Sequence, residues 1–237
     1  MTTEQNDGRR IFITGVGRGL GLALAQRFAA VGNTVFGSAR GATPDIGLTG
    51  RVTMDLADEQ SIIAAANKLA EQTDSLDLLI NCAGVDARAF GASEHVRGIF
   101  DLDAATFNAV LNVNATGPMV LTSAVLPLLR RGSDAMVVNV SSQLGSMQVA
   151  ARNGRDAAYC VSKAALNMVS VKSAAALAPE GIGVVMLHPG WVQTDMGGEN
   201  APLTMDQSAD AIVASIDKLS LADTGRFIRW DGHDHPW

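Results

Sequence analysis

The stretch FITGVGRGLGLALA, residues 12–25, decides the fold. An apolar run ends at Thr14, glycines stand at Gly15, Gly17, Gly19 and Gly21, and an Ala/Leu-rich segment follows. A strand that enters a glycine-rich turn and leaves as a helix presents backbone N–H groups and the positive end of a helix dipole, which together attract an anion. The spacing departs from G-x-G-x-x-G, since Leu20 takes the third glycine's place. It fits T-G-x-x-x-G-x-G through Thr14, Gly15, Gly19 and Gly21. Taken alone such a turn is a weak signal, because glycines also serve tight geometry where no ligand binds. Arg18, in the middle of the turn, needs a reason of its own.

Working outward, short β-branched runs alternate with longer helical patterns. RIFIT (10–14), NTVFGSA (33–39), RVTMD (51–55), LDLLI (76–80), AMVVNVSS (135–142), GVVMLHP (183–189) and RFIRW (226–230) read as seven strands. Helical periodicity covers about 20–31, 58–73, 104–131 with Asp103 as its cap, 157–178 and 205–218. Nearly continuous apolar strands separated by helices imply a doubly wound α/β fold, a Rossmann-type parallel sheet of about seven strands covered on both faces. No repeat, linker or low-complexity segment divides residues 1–237, so one domain is expected. Its ligand belongs at the carboxyl ends of the strands, where the strand order reverses.

Composition narrows the function classes. The 237 residues are 47% apolar and 18% charged, which excludes a disordered chain, and a net charge of −6 without any basic run argues against nucleic acid. Cys82 and Cys160 have no metal-like spacing, and no His/Cys/Asp cluster suits zinc. The polar start MTTEQNDGRR lacks an apolar leader, and no uninterrupted apolar run reaches membrane-spanning length. A cytoplasmic protein off the membrane is expected.

The end of the second strand bears on Arg18. Dinucleotide sites for NAD carry an acid there, about 20 residues past the turn, to bind the ribose 2′-OH, whereas NADP sites place an arginine nearby. No acid stands between Asn33 and Arg40. Arg18 and Arg40 together would meet a 2′-phosphate with bidentate, charge-assisted hydrogen bonds. Either one alone reads as an ordinary surface residue; the pair with the acid missing favours NADP(H).

A second constellation suggests proton transfer. YCVSK sets Tyr159 and Lys163 four residues apart on one helix face. An ammonium beside the phenol would lower its pKa from about 10 by roughly 1–3 units. Ser141 and Ser142 follow the fifth strand at the ligand end of the sheet, and Asn114 lies in a helical stretch among apolar neighbours. Each has a plain structural alternative: a surface pair, a turn cap, a buried hydrogen bond.

Taken in order, TGVGRGLG, MDL with Asp55, NCAG (81–84), Asn114, Ser141, YCVSK and PGWVQT (189–194) make the chain resemble the short-chain dehydrogenase/reductase family over essentially its full length. HPGWVQTDMGG and the tail WDGHDHPW look more narrowly like the branch of C-factor-like and sniffer-type carbonyl reductases. The resemblance implies Tyr159 as general acid/base, Lys163 on the nicotinamide ribose, Ser141 on the substrate oxygen and Asn114 holding a relay water. It implies cofactor contacts from Gly15, Arg18, Gly19, Leu20, Arg40, Asp55, Leu56, Asn81, Ala83, Tyr159, Lys163, Val192 and Thr194. Gln143, Met147, Trp191 and Met196 are candidate substrate contacts, with core or lid packing as the alternative. The Ala-rich face of 164–178 is where family members pair, so a homodimer or homotetramer is expected.

Departures from the family are few. Cys82 replaces the second Asn of the usual NNAG, and sixteen residues separate Ser142 from Tyr159, longer than the family norm. The expected activity is NADPH-linked reduction of a ketone or aldehyde to an alcohol. Two other readings stay open: a dinucleotide-binding signalling protein that needs no turnover, and an NAD-linked alcohol oxidiser.

Overall fold

The computed structural model describes residues 8–93 and 97–237; the N-terminal MTTEQND lies outside them. Seven strands run β1 (Arg10–Thr14), β2 (Thr34–Ala39), β3 (Gly50–Thr53), β4 (Leu78–Asn81), β5 (Met136–Val140), β6 (Gly183–His188) and β7 (Phe227–Arg229). They form one sheet in the order β3-β2-β1-β4-β5-β6-β7, every pairing parallel. The order reverses between β1 and β4, which puts the expected ligand crevice over the turn after β1.

Period-2 alternation sends side chains to two cores. Ile11 and Ile13 join Leu24, Phe28, Val35, Leu78, Val138 and Val185 on one face, while Phe12 joins Phe36, Leu79, Val137 and Val184 on the other. Helices α1 (Gly19–Ala30) and α7 (Met205–Ile216) cover the first face; α2 (Glu59–Ala70), α4 (Gly117–Leu129) and α6 (Ala157–Leu177) cover the second. Helix α3 (Ala104–Leu111) leads into α4, and a short α5 (Met147–Ala150) lies in the connection from β5 to α6.

Two elements differ from the sequence reading. The expected single helix over 104–131 is interrupted by a π-helical turn, Asn112–Thr116, between α3 and α4. Pro118 sits at the first turn of α4, where its missing N–H costs nothing, and the extra residue of the π turn carries Asn114 inward. This continuous stretch, Ala104–Leu129, is long and apolar enough to cross a membrane, which the sequence reading had not recognised. Here its apolar residues Leu121, Val125, Leu128 and Leu129 are spent on the sheet.

At the opposite edge from the crevice, the Asp77 carboxylate binds three strands together. It accepts from Arg10 N, Nε and Nη2 at 2.7–2.9 Å and from Ser133 N at 2.8 Å. Burial alone would raise its pKa, but these donors hold it below the usual aspartate range. Stability from this clamp is full above pH about 4 and is lost as pH falls through the lowered folded value. Asp77→Ala should cost about 2–3 kcal/mol at pH 7, leaving buried donors unmet, and much less near pH 2; urea unfolding at the two pH values reads the difference.

Candidate active site

The turn after β1 is pinned from both sides. Thr14 Oγ1 accepts from Cys82 N and Ala83 N at 3.0 Å each, and Gly15 N and Val16 N donate to Ser38 O at 2.8 and 3.1 Å. Gly15 sits at φ +79°, with a Cβ there only 3.0 Å from Ala83 Cα, and Gly19 at φ +58°; both positions demand glycine. A Cβ on Gly21 would strike Gly15 O at 2.5 Å. Arg18 caps α1 by backbone alone: no side chain caps the helix and no acid stands in its first turn, so its amino end is open to an anion. Leu20 turns instead toward the core under α1.

The arginines are placed differently from one another. Arg18 is exposed and pairs with Asp195 in the loop after β6. Arg40 is exposed at the end of β2. Beside it opens a cleft of about 310 Å3 lined by Ala39, Gly41, Ala42, Thr43, Arg51, Val52 and Thr53. Arg51 thus adds a guanidinium, 3.3 Å from Asp45, that the sequence reading missed. Its place on β3 pairs it with Gly37 (a register the strand pattern alone leaves open).

The remaining cofactor candidates divide. Asp55 lies two residues past β3, its Oδ1 accepting from Ala57 N at 2.9 Å. Leu56 and Asn81 face inward: Leu56 belongs to the core, and the Asn81 amide donates to Asn139 Oδ1 at 2.7 Å and Thr122 Oγ1 at 3.4 Å. Only their backbones can meet a ligand. Val192 is buried and bridges Leu203, while Thr194 Oγ1 accepts from Gly197 N at 2.8 Å and closes its own loop.

At the carboxyl end of β5 the two serines part company. Alternation sends Asn139 and Ser141 under α6, where Asn139 bonds Ser170 and Ser141 Oγ donates to Asn167 Oδ1 at 2.6 Å. Ser141, the serine chosen from sequence, is therefore spent on the core and 1% exposed. Ser142 lies just past the end of β5; its Oγ accepts from Leu144 N at 3.1 Å, and its hydroxyl acts to lower the Tyr159 pKa.

Lys163 is buried, donates from Nζ to Val140 O at 2.7 Å, and lies 5.8 Å from the centroid of the Tyr159 ring. Burial brings its pKa down to about 8, opposed by Cys82. Asn114 is held by a two-way bond to Val85, N–H to Oδ1 at 2.9 Å and Nδ2 to O at 2.7 Å, and donates to Ser162 Oγ at 2.9 Å. Ser162 in turn donates to Tyr159 O at 2.8 Å. A Cβ on Gly84 would sit 3.3 Å from Asn114 Oδ1 and 3.4 Å from Lys163 Nζ, so amide oxygen and ammonium converge over that glycine.

The phenol does not behave as its spacing to Lys163 suggested. Burial pushes the Tyr159 pKa up to about 12; Ser142 opposes this, while Asp86, Cys160 and Asp156 reinforce it. Lys163, itself desolvated and bonded to the Val140 carbonyl, does not offset that in the free protein. Asp86 is buried and paired with Arg88 at 2.6 Å and Arg97 at 3.9 Å, and Arg97 also meets Asp156 at 3.0 Å. None of these four was singled out from sequence. Arg88 further reaches Met196 O at 3.3 Å, joining the loop after β4 to the loop after β6. In that second loop Trp191 Nε1 donates to Gly197 O at 2.7 Å. Met147 is exposed, and Gln143 N donates to His188 Nδ1 at 3.2 Å. No cluster of metal-ligating side chains occurs among the described residues.

Residues 9–203 match the short chain dehydrogenase family. The chain belongs to that family. Among its relatives, C-signal of Myxococcus xanthus is 42% identical over 167 residues, 70% of this chain and 95% of that protein. Two solved structures superpose over nearly the whole length. The NADPH-bound carbonyl reductase from chicken fatty liver is 30% identical with a TM-score of 0.86, covering 98% of this chain and 100% of that one. Carbonyl reductase Sniffer of Drosophila melanogaster is 30% identical with a TM-score of 0.87, covering 97% and 100%.

Tyr159 is the only tyrosine in the chain, so tyrosinate absorbance titrates it alone. The folded protein should show no tyrosinate below pH about 10.5, whereas the denaturant-unfolded chain should titrate near its ordinary value of about 10. Ser142→Ala should move the folded onset higher still, and Ser141→Ala should leave it in place while lowering stability by about 1–2 kcal/mol.

Proposed function

We propose that this protein is an NADPH-dependent carbonyl reductase, taking a ketone or aldehyde to the alcohol, with Tyr159 as the general acid. The observation that carries the reading is the convergence of Ser142, Tyr159 and Lys163 at the end of β5, beside an uncapped helix terminus with no acid at the end of β2. The residues fit the cofactor: the open amino end of α1 would take the pyrophosphate, and Arg40, Arg18 and Arg51 would face a 2′-phosphate. When bound, NADPH supplies the hydride that adds to the carbonyl carbon.

The chain's own residues then handle the oxygen and its proton. The Ser142 hydroxyl would orient the substrate oxygen against Tyr159, and the phenol would give that oxygen its proton as charge develops there. A pKa raised to about 12 keeps the phenol protonated at neutral pH, the form that reduction requires. The phenolate left behind would be stabilised by the Lys163 ammonium and refilled from solvent through the space between Lys163, Gly84 and Asn114. Lys163 would also hold the nicotinamide ribose. Asp86 beside the phenol favours the protonated form and so works in the same direction.

A second reading has its own observation, the likeness to C-signal: a dinucleotide-binding signalling protein in which turnover is dispensable. Dimerisation through the outer faces of α4 and α6, where Met119, Val161 and Met168 are exposed, would suit either reading. A cytoplasmic setting fits the two free thiols, Cys82 and Cys160.

NADPH consumption with a panel of aryl ketones, diketones and aldehydes separates the two. Tyr159→Phe should bind NADPH as the native chain does yet lose turnover by roughly 1,000-fold or more, about the worth of a positioned acid. Arg40→Ala should weaken NADPH by roughly 10–100-fold while sparing NADH, the loss expected for a charge-assisted pair. NADPH affinity should also fall above pH about 8, as Lys163 loses its proton. Tight NADPH binding with no turnover of any carbonyl would favour the signalling reading.

A further inference from the structure

The connection from β5 to α6 carries Ser142, Gln143 and Met147, yet it has little structure of its own. Residues 143–145 make one 3-10 turn and α5 is four residues long, far below the length of a self-supporting helix. Its internal bonds are local: Leu144 N to Ser142 Oγ at 3.1 Å, Ser146 N to Gln143 O at 3.1 Å, Val149 N to Ser146 Oγ at 3.2 Å. Among the described residues, three hydrogen bonds tie residues 143–150 to the rest of the molecule. Asn167 Nδ2 holds Gly145 O at 3.2 Å from α6. The other two come from the far end of the chain: Gln143 N donates to His188 Nδ1 at 3.2 Å, and Gln148 N donates to Trp237 O at 3.0 Å.

Both of those acceptors are held by the segment after β7. It doubles back as an antiparallel turn, with Ile228 bridging Asp234, Arg229 N donating to His233 O at 2.8 Å and His235 N to Phe227 O at 2.7 Å. This places the His235 ring 5.2 Å from His188 and 4.6 Å from Phe227, with Trp237 5.5 Å from Phe227. Trp230 closes the other side of His188, edge-on at 6.2 Å. His188 is buried among these rings at the carboxyl end of β6. Its burial, His235 and Arg229 keep it neutral down to a pKa of about 3, with Asp231 opposing, so Nδ1 remains an acceptor at working pH.

We propose that His188 is a positioning residue for substrate. Through Gln143 it fixes the loop that forms the substrate wall beside Ser142 and Tyr159, and residues 231–237 act as the buttress that holds His188 and the Gln148 end of the same loop. The proposal rests on the carbonyl reductase reading for its kinetic consequences, but its structural core does not. His188 is not itself among the cofactor contacts proposed above, so NADPH affinity serves as the internal control. The buttress also accounts for the aromatic and histidine content of WDGHDHPW, which the catalytic reading leaves unused.

Three substitutions test it, because the side chains differ in where they place an acceptor. Asn puts its Oδ1 where the His Nδ1 stands; Gln reaches instead to the Nε2 position; Leu offers no acceptor. His188→Leu and His188→Gln should raise substrate KM roughly tenfold with kcat changed less than about threefold and NADPH affinity unchanged, while His188→Asn should stay near the native value. Amide exchange of residues 143–150 should follow the same order, protected in the native chain and His188→Asn, released in the other two. Deleting Trp237, and with it the accepting backbone carbonyl, should release the Gln148 end alone. If Asn, Gln and Leu behave alike in KM and in exchange, the proposal is wrong. Should the native chain turn over no carbonyl, the reductase reading falls, and the exchange pattern still decides for or against the positioning role.

Discussion

A carboxamide taken out of water must find partners for its oxygen and both its N–H groups, and Asn114 does so in a way that sets the spacing of the whole site. Its bonds to Val85 in both directions fix the chain as it leaves β4, and its bond to Ser162 fixes α6 one turn from Tyr159 and next to Lys163. The π turn that places Asn114 is an irregularity in an otherwise regular helix, and such a turn persists only where the surroundings favour it. Here the return is a fixed gap over Gly84 bounded by an amide oxygen and an ammonium. Remove the amide and two elements lose their common reference, which is why this residue matters to a hydroxyl it does not touch.

How far the sequence revealed this can be followed residue by residue. The parallel sheet, its two-faced cover and the glycine turn follow from local rules: alternation, helical periodicity and the φ values that only glycine adopts freely. Arg51 could not be found so, because its approach to the cleft at the end of β2 depends on strand register. Asp86, Arg88 and Arg97 in the β4–α3 connection meet Asp156 in the β5–α6 connection, a convergence no spacing announces. Ser141 and Ser142 are a different case. The rule that separates them is period 2, and applying it from Val138, which faces α1 and α7, puts Ser141 under α6 and Ser142 on the other side.

The tyrosine shows why spacing is a poor guide to electrostatics. Four residues on a helix bring Lys163 near the ring of Tyr159, but the ammonium bonds the Val140 carbonyl and burial drains part of its charge. Two desolvated groups move in opposite directions, phenol up and ammonium down, and in the free protein neither rescues the other. Cys82 adds to the contrast: burial pushes the thiol up to about 12, so the position where the family has asparagine stays uncharged. The site at rest thus sets a neutral phenol and a neutral thiol beside a lysine still largely protonated at neutral pH, around a space that would receive a polyanionic cofactor.

That arrangement bears on the choice between an enzyme and a sensor. Holding Lys163 in a place that lowers its pKa from 10.5 to about 8 costs the fold on the order of 3 kcal/mol, at ~1.4 kcal/mol per pH unit, a sizeable share of a marginal stability. A protein that only had to bind a dinucleotide would use that ammonium on the nicotinamide ribose alone, with the helix terminus and the surface arginines supplying the rest of the affinity. Burying a cation beside a phenol whose proton is held to about pH 12 gains nothing for binding the adenine end. It becomes useful when the phenol loses its proton, because a phenolate created in a dry pocket needs a positive charge already in place. On the reductase reading proposed above, that cost is offset at the step in which the phenol gives up its proton.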